Sequence, residues 1–512
     1  MTLFNQQLPQ RIYWLFFMSL TLLYISFTPG TIEGQGYNQE NLVAAGQVLT
    51  NVVNAVTRQP LVQVEWTRHG CIEPLLELPF VAASRLFFGA SEKWPGRLAI
   101  FVPILATSLL CTLLLIWAHR LTSSLRWSIL LAVAAGLGTM LWPYAYIGLE
   151  TTQSLALLAA AFITLGRMRT GSWREVLLLA VCCGVTLTAK SSGVFLVPAI
   201  GFLVFVYFWR QNTLGEAKWK LIGLLGLIVL LFGLNLMARS RYWGGTAAGA
   251  AGYYSQLLID SPLTAAFQAF SYFGSPNKSL LLYCPIVLLS LLALRAAWRL
   301  QSAIVIFSLL TLGGLIAGFA VTRMWAEETW GPRYLHAAVA PLLLCLAAAS
   351  SEMEFRWRRH VSVLALLLLG LGVSLLGTLF SYGSLHRAAI ETSQNTLEAL
   401  QYSPRWNHIQ FNWTLLRLWI RRSVVTTQEE DLWPKPVGWW FSKPDDAPPE
   451  KTVDLRQFAT PQPIILQRWR PSVSLSAGAF TVLRVMCLAF LLIGLAVLVR
   501  AWRWAGHMVP PR

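Results

Sequence analysis

The chain has 512 residues, of which 55% are hydrophobic and only 12% are charged, and its formal net charge is +17. This composition, with a mean hydropathy of +0.55, excludes an ordinary soluble protein and predicts that lipid is the main solvent of the chain. The positive charge is then expected from membrane topology and from contact with anionic lipid head groups, so it does not indicate nucleic-acid binding.

Apolar runs recur along the chain at roughly the 20 residues that are needed to cross a bilayer, and there are about twelve of them. They lie near residues 13–29, 98–118, 127–147, 152–166, 175–189, 193–209, 220–238, 279–296, 301–321, 335–350, 361–380 and 478–499. The sequence therefore predicts an all-α polytopic membrane protein of about twelve transmembrane helices. The first run lacks a good cleavage site and is expected to remain as an uncleaved helix.

The connections between these runs predict the orientation of the chain. The short connections assigned to one side carry 17 arginines and lysines against only four acids. The other 19 acids fall on the opposite side together with every long loop, so the basic side and both termini should be cytoplasmic. This gives a transmembrane module over 1–380 with a first outer loop at about 30–97. Residues 381–477 form an outer loop or small subdomain, and 478–512 a final helix and cytoplasmic tail.

The apolar stretch from Ile72 to Ala90 is interrupted by acids and prolines, and we interpret it as interfacial or re-entrant. The i, i+4 spacing of Glu65, His69, Glu73 and Glu77 around its start superficially suggests a metal-binding face. Gly70 and Pro74 should interrupt any helix that carries them, so a metal site is disfavoured there. The seven cysteines lie mostly inside apolar runs and are expected to be buried hydrophobic residues.

Two carboxylates are expected at the outer membrane surface. Glu33 follows the first apolar run among glycines, and Glu150 follows the third. A carboxylate held partly out of water can have a raised pKa that suits general-base work on a hydroxyl. An ordinary solvated acid at position 33 and a structural ion pair at position 150 are the alternatives.

Several cations fall on the same predicted face, namely Arg68, Lys190, Lys278 and Arg333. Converging cations suit a phosphate or pyrophosphate group. Each one alone is more often a helix-end anchor that reaches the membrane interface.

Four stretches resemble the bacterial branch of the GT-C integral membrane glycosyltransferases, the superfamily that contains the protein mannosyltransferases and the lipid A aminoarabinose transferase. They are residues 67–80, 142–150, 275–285 and 330–335. The last, Trp330 to Leu335, matches the family's Trp-Gly-Pro-Arg-Tyr-Leu stretch. Leu149 stands where the family has Ser, and Ser279 where it has Gly.

The resemblance implies a GT-C-like helical bundle and a hexosyl or pentosyl transfer from a polyprenyl-phosphate donor to an extracytoplasmic lipid, glycan or protein, with inversion. It places the catalytic base at Glu33, where the family more often has Asp, and it implies a bacterial inner-membrane location. We expect Glu150 to assist Glu33. The implied donor-phosphate ligands are Arg68, Lys190, Lys278, Arg333 and Tyr334, and the implied substrate contacts are Tyr37, His69 and Trp330. No metal ligand is assigned, although a divalent metal stays possible.

Two other classes of protein are compatible with the sequence. A secondary transporter or flippase could have as many helices, but the apolar runs contain few of the ionisable residues that transporters carry near the membrane midplane. An O-antigen ligase or polymerase would act on the same face with lipid-linked sugars, and Arg405 and His408 in the last outer loop keep that alternative open.

Overall fold

The structure is a computed structural model. It describes residues 2–29, 36–67, 70–89, 93–166, 171–209, 214–242, 258–259, 261–275, 277–323, 330–350, 357–380, 384–385, 388, 407–424, 459, 461–463 and 477–507. The described residues form helices joined by turns, and they contain only isolated β-bridges in place of strands. The prediction of an all-α fold is confirmed.

Most of the apolar runs form helices, and further helices lie between them. In chain order they are α1 (Thr2–Ser26), α2 (Gly36–Thr57), α3 (Ile72–Phe88), α4 (Lys93–Ala99), α5 (Phe101–Thr122), α6 (Leu125–Gly138), α7 (Leu141–Tyr144), α8 (Leu149–Ala161), α9 (Trp173–Thr188), α10 (Val197–Trp209), α11 (Leu214–Tyr242), α12 (Pro262–Gly274), α13 (Leu280–Tyr283), α14 (Val287–Leu292), α15 (Leu294–Ala320), α16 (His336–Ala349), α17 (Trp357–Leu379), α18 (His408–Val424) and α19 (Ala477–His507).

Among the described residues, six helical stretches are long and apolar enough to cross a membrane. They are Pro95–Thr122, Ser191–Trp209, Lys218–Ser240, Leu294–Ala320, Val361–Leu379 and Thr481–Ala505. The stretch Thr481–Ala505 has a mean hydropathy of 2.8, yet only 11% of its apolar window is buried inside the protein. An apolar surface of that size needs lipid to cover it. The chain is therefore a multi-pass membrane protein.

Other apolar runs are helical but shorter or broken. The helices Leu125–Gly138 and Arg333–Ala349 are apolar and fall below spanning length. The run at 279–296 divides into α13, α14 and the first turn of α15. Helix α15 itself has a kink at Gln301, where the backbone is non-helical. Pro285, which has no backbone N–H to donate, lies between α13 and α14.

The chain from Ile72 to Ala90 is a single helix, α3, as far as Phe88. Pro74 lies in its first turn, where the backbone N–H would have no partner within the helix in any case. The expected interruption of a helix through Glu65, His69, Glu73 and Glu77 therefore occurs at Gly70, since α3 starts at Ile72. It does not occur at Pro74, because α3 carries both Glu73 and Glu77. Helix α3 starts after Gly70, accommodates Pro74, and is not among the spanning stretches.

The packing of the helices brings distant helix ends together. Helix α8 packs against α9, α5 and α16, while α9 also packs against α11. The start of α8, the end of α9 and the start of α16 consequently meet at one level of the bundle, which is where the polar side chains described next are buried.

Candidate active site

The candidate site is built around Glu150 in the first turn of α8. Gly148 precedes this helix with φ of 105°, a backbone conformation that glycine adopts far more readily than other residues. The sharp turn there allows α8 to start directly after the buried segment that ends at Ile147. A carboxylate in the first turn also interacts favourably with the helix dipole.

Two cations meet this carboxylate from other parts of the chain. Lys190 Nζ and Arg333 Nε both donate to Oε1 of Glu150, forming ion pairs. Lys190 lies just beyond the end of α9, and Arg333 begins the 3-10 turn Arg333–Leu335 that leads into α16. All three residues are nearly inaccessible to solvent, with exposed fractions of 3%, 6% and 3% for Glu150, Lys190 and Arg333.

Tyr334 completes this group. The Lys190 ammonium lies 4.7 Å from the centre of the Tyr334 ring, and that ring stacks on Phe319 with centroids 3.7 Å apart. A cation over an aromatic face is attracted by the ring quadrupole, and more strongly in the absence of water. Four of the sequence-predicted residues, Glu150, Lys190, Arg333 and Tyr334, are therefore brought together; we call them the Glu150 cluster.

The charges in the cluster fix the ionisation of Glu150. Burial alone would raise its pKa, but the guanidinium of Arg333 and the ammonium of Lys190 outweigh burial and hold the pKa well below its ordinary value. Its second oxygen, Oε2, has no hydrogen-bond partner among the described residues. The two cations thus favour the ionised form of Glu150, which orients them and is poorly suited to take up a proton near neutral pH.

Hydrogen bonds of Ser154 link the backbone of Glu150 to His336. Ser154 Oγ donates to the Glu150 carbonyl oxygen at 2.6 Å and lies 2.7 Å from His336 Nδ1. Since the single Ser154 proton is used on the carbonyl, His336 must donate through Nδ1. The ring of His336 also meets Tyr144 edge-on at 5.5 Å, and the Tyr144 hydroxyl donates to the Trp330 carbonyl at 2.7 Å.

Trp330 and Lys278 lie in neighbouring packed segments. The Trp330 indole is buried and meets Tyr283 edge-on with centroids 5.2 Å apart, and its ring lies 5.8 Å from that of His408. Lys278 is fully buried in the turn before α13. The Trp330 ring is therefore packed among protein groups, including the backbone of Gly377.

The remaining predicted residues fall outside what the structure describes. Glu33, Arg68 and His69 are not among the described residues, and for Tyr37, in the first turn of α2, only the helical backbone is described. The roles that the resemblance implies for these four residues stay predictions.

Sequence reasoning considered Glu73 only as a metal ligand and missed it as a neighbour of the cluster. Glu73 is buried on α3, and burial raises its pKa to about 7, with Glu150 adding to that rise and Thr152 opposing it. Among the described residues, no group of three or more His, Cys, Asp and Glu side chains could hold a metal ion. The i, i+4 spacing of the acids near Gly70 could have indicated that Glu73 and Glu77 share one helix face. That inference requires knowing that the helix starts at Ile72 and continues through Pro74.

Comparisons with known proteins give structural likeness only. No family model matches the chain, and no curated protein matches it. The chain is similar to the ArnT structure from Cupriavidus metallidurans bound to undecaprenyl phosphate, with 13% identity and a TM-score of 0.47, over 95% of this chain and 76% of that one. It is also similar to the archaeal oligosaccharyltransferase AglB from Archaeoglobus fulgidus in complex with an inhibitory peptide and a dolichol-phosphate, with 11% identity and a TM-score of 0.39, over 75% of this chain and 58% of that one.

At such identities and TM-scores, the function of this chain has to be inferred from its own residues.

Proposed function

We propose that the chain is a membrane glycosyltransferase that moves a sugar from a polyprenyl-phosphate donor to an extracytoplasmic acceptor, with inversion at the anomeric carbon. The observation that carries the proposal is the burial of Lys190 and Arg333 side by side at helix ends within a bundle of membrane-length helices. Buried cations are costly unless they serve a partner or a function, and a phosphate attached to a lipid is an anion that reaches such a site from the bilayer. The four sequence stretches that resemble GT-C enzymes agree with this reaction.

In the proposed reaction the two cations act on the leaving group. As the bond between the anomeric carbon and the phosphate oxygen breaks, negative charge grows on the phosphate, and Lys190 and Arg333 stabilise it. Glu150 holds both cations in one place, and the Tyr334 ring supports the Lys190 ammonium. Because these groups are oriented before substrate binds, little reorganisation is needed during the reaction.

The other predicted residues are assigned by resemblance alone. Glu33 would take the proton from the acceptor hydroxyl, and Arg68 and Lys278 would add to the phosphate site. Tyr37, His69 and Trp330 would contact the substrates. The proposal includes a hexosyl or pentosyl donor and a bacterial inner membrane with the site on its outer face.

The test is an assay of the purified full-length protein with a panel of polyprenyl-phosphate sugars. We expect transfer by the wild type and a loss of about 10²- to 10³-fold in kcat for Lys190→Gln and Arg333→Gln, as for the removal of other preorganised charge-stabilising donors. The matched control is Arg500→Gln. Arg500 also lies over an aromatic ring, that of Trp504 at 4.6 Å, but it belongs to helix α19, which packs against α1 and α6.

Two outcomes would contradict the proposal. Wild-type protein that transfers no sugar from any donor, while moving a substrate across proteoliposomes, would favour the transporter alternative. Full activity in both Lys190→Gln and Arg333→Gln would reject the phosphate role of the Glu150 cluster. In that second case, a His408→Ala variant that abolishes transfer would support the ligase or polymerase alternative.

A further inference from the structure

Helix α3 carries two carboxyl groups that the proposed reaction has not used. Glu73 and Glu77 are exposed by only 3% and 1%, and their i, i+4 spacing places them on one face of the helix. Glu73 Oε1 and Glu77 Oε2 have no hydrogen-bond partner among the described residues. Buried carboxyl oxygens normally find partners, so such orphans call for a functional explanation.

Glu73 lies near the first residue of the Glu150 cluster. A methyl group built at Gly148 would lie 4.0 Å from Glu73 Oε2, so the carboxyl is close to the turn that opens α8. Glu150 follows two residues later and acts electrostatically on Glu73, as does Thr152 through its side chain. Glu73 therefore lies beside the turn that also positions the acceptor of the two cations.

The beginning of α3 is held in this place by a buried amide. Asn235 Oδ1 on α11 accepts the backbone N–H of Cys71 at 3.0 Å, and Asn235 Nδ2 donates to the Thr188 carbonyl at 3.3 Å. Thr188 ends α9, two residues before Lys190. The side chain of Asn235 thus fixes the start of α3, and with it Glu73, relative to the end of α9, which Lys190 follows.

The two neighbouring carboxyls have opposite electrostatic environments. Burial, with a contribution from Glu150, raises the pKa of Glu73 to about 7, whereas Arg333 and Lys190 outweigh burial and lower that of Glu150. Burial and the charge of Glu73 also raise the pKa of Glu77. Pairs of carboxyls whose environments separate their pKa values are typical of sites where one exchanges a proton near neutral pH and the other stays charged.

Resting on the proposed glycosyl transfer, we infer that Glu73 accepts the proton that the acceptor hydroxyl loses, the role that the sequence resemblance gives to Glu33. The O–H bond of the acceptor breaks and its proton passes to the ionised Glu73 carboxylate. The acceptor oxygen forms the new bond to the anomeric carbon, and the bond from that carbon to the phosphate oxygen breaks. The electron pair leaves on the phosphate, next to Lys190 and Arg333.

The test compares Glu73→Gln with Glu77→Gln, a matched change of a buried carboxyl one helical turn away. We measure kcat and KM for a polyprenyl-phosphate sugar from pH 5 to 9, together with binding of polyprenyl phosphate alone. For Glu73→Gln we expect kcat to fall by about 10²- to 10⁴-fold, the usual contribution of a general base, with KM and phosphate binding unchanged. The acid limb of the wild-type pH profile near pH 7 should disappear in Glu73→Gln and persist in Glu77→Gln.

Several results would overturn the inference. The inference fails if Glu73→Gln has the kcat and the acid limb of the wild type. It also fails if Glu73→Gln loses activity because it no longer binds polyprenyl phosphate. If Glu33→Gln is inactive while Glu73→Gln is normal, Glu33 is the base and the glycosyl-transfer proposal stands. If Glu73→Gln does not fold, Glu73→Asp decides, because an unshifted acid limb in Glu73→Asp contradicts the inference. Wild-type protein without transferase activity would reject the proposed function itself.

Discussion

Asn235 accepts the backbone N–H of Cys71 through its side-chain oxygen at 3.0 Å, although the two residues are 164 positions apart in the sequence. The same amide donates to the Thr188 carbonyl, so one side chain joins helices α11, α3 and α9. Asn235 is only 2% exposed. The amide of Asn235, inside the membrane-length helix α11, thus stabilises the start of α3, which is not itself a spanning stretch.

Replacing this amide should destabilise the protein. Asn235→Ala leaves the Cys71 N–H without its acceptor, and an unsatisfied buried group costs about 1–3 kcal/mol. The change should appear as a lower thermal midpoint of the detergent-solubilised protein. The matched control is Asn54→Ala, since the Asn54 amide donates to the Pro60 carbonyl at 2.7 Å at an exposed position. Equal midpoints for the two variants would contradict the role assigned to Asn235.

A glycine permits the close approach of Asn235. Gly70 has φ of 103°, and a methyl group there would lie 1.8 Å from Asn235 Oδ1. Gly70→Ala should therefore lower the thermal midpoint through both backbone strain, about 1–2 kcal/mol, and displacement of the amide. The control is Gly89→Ala, because Gly89 also has positive φ, at 69°, but nothing lies within 4 Å of the added methyl group. A loss in Gly70→Ala no larger than in Gly89→Ala would show that the contact with Asn235 is unimportant.

The sequence predicted the helices better than it predicted the site. Apolar runs report burial in lipid or protein along one continuous segment, so the helical class follows from local composition. The ion pairs of Glu150 with Lys190 and Arg333 span 40 and 183 positions. Each of these residues could be singled out as an unusual charge at a helix end, but which of them share one oxygen depends on the packing of three helices.

Glu73 shows why the rest of the site was not predicted. Pro74 suggested a helix interruption, whereas a proline in the first turn leaves the helix intact. The burial of Glu73 also depends on the contact of α3 with residues near Gly148 and Asn235, which no local pattern reveals. His336 was missed for a similar reason, since its partner Ser154 lies 182 residues away.

The Glu150 cluster should behave as one energetic unit. Glu150→Gln removes the charge that both Lys190 and Arg333 bind, and breaking a buried ion pair typically costs about 3–5 kcal/mol. The double variant Glu150→Gln/Arg333→Gln should lose less stability than the sum of the two single changes, because the second change removes a cation that the first has left uncompensated. Thermal midpoints of the four proteins measure this coupling. Additive losses would contradict a shared network.

Glu73 should make the stability of the protein fall as pH rises. The folded state keeps the Glu73 proton up to about pH 7, whereas a carboxyl with the ordinary pKa of 4.5 loses it earlier. The folded protein therefore binds more protons between these values, so the contribution is fully present below pH 4.5 and is lost as pH rises through 7. The difference corresponds to about 3 kcal/mol.

Thermal midpoints measured from pH 4.5 to 8 test this dependence. Glu73→Gln should flatten the decline, because the amide carries no proton to lose, and at pH 8 the variant should be at least as stable as the wild type. Some slope should remain in Glu73→Gln, since burial also raises the pKa of Glu77. The control Glu65→Gln changes an exposed acid in the non-helical segment before α3 and should leave the wild-type slope intact. An equal slope in the wild type and Glu73→Gln would mean that Glu73 does not hold its proton in the folded protein, and it would also remove the electrostatic support for Glu73 as the proton acceptor.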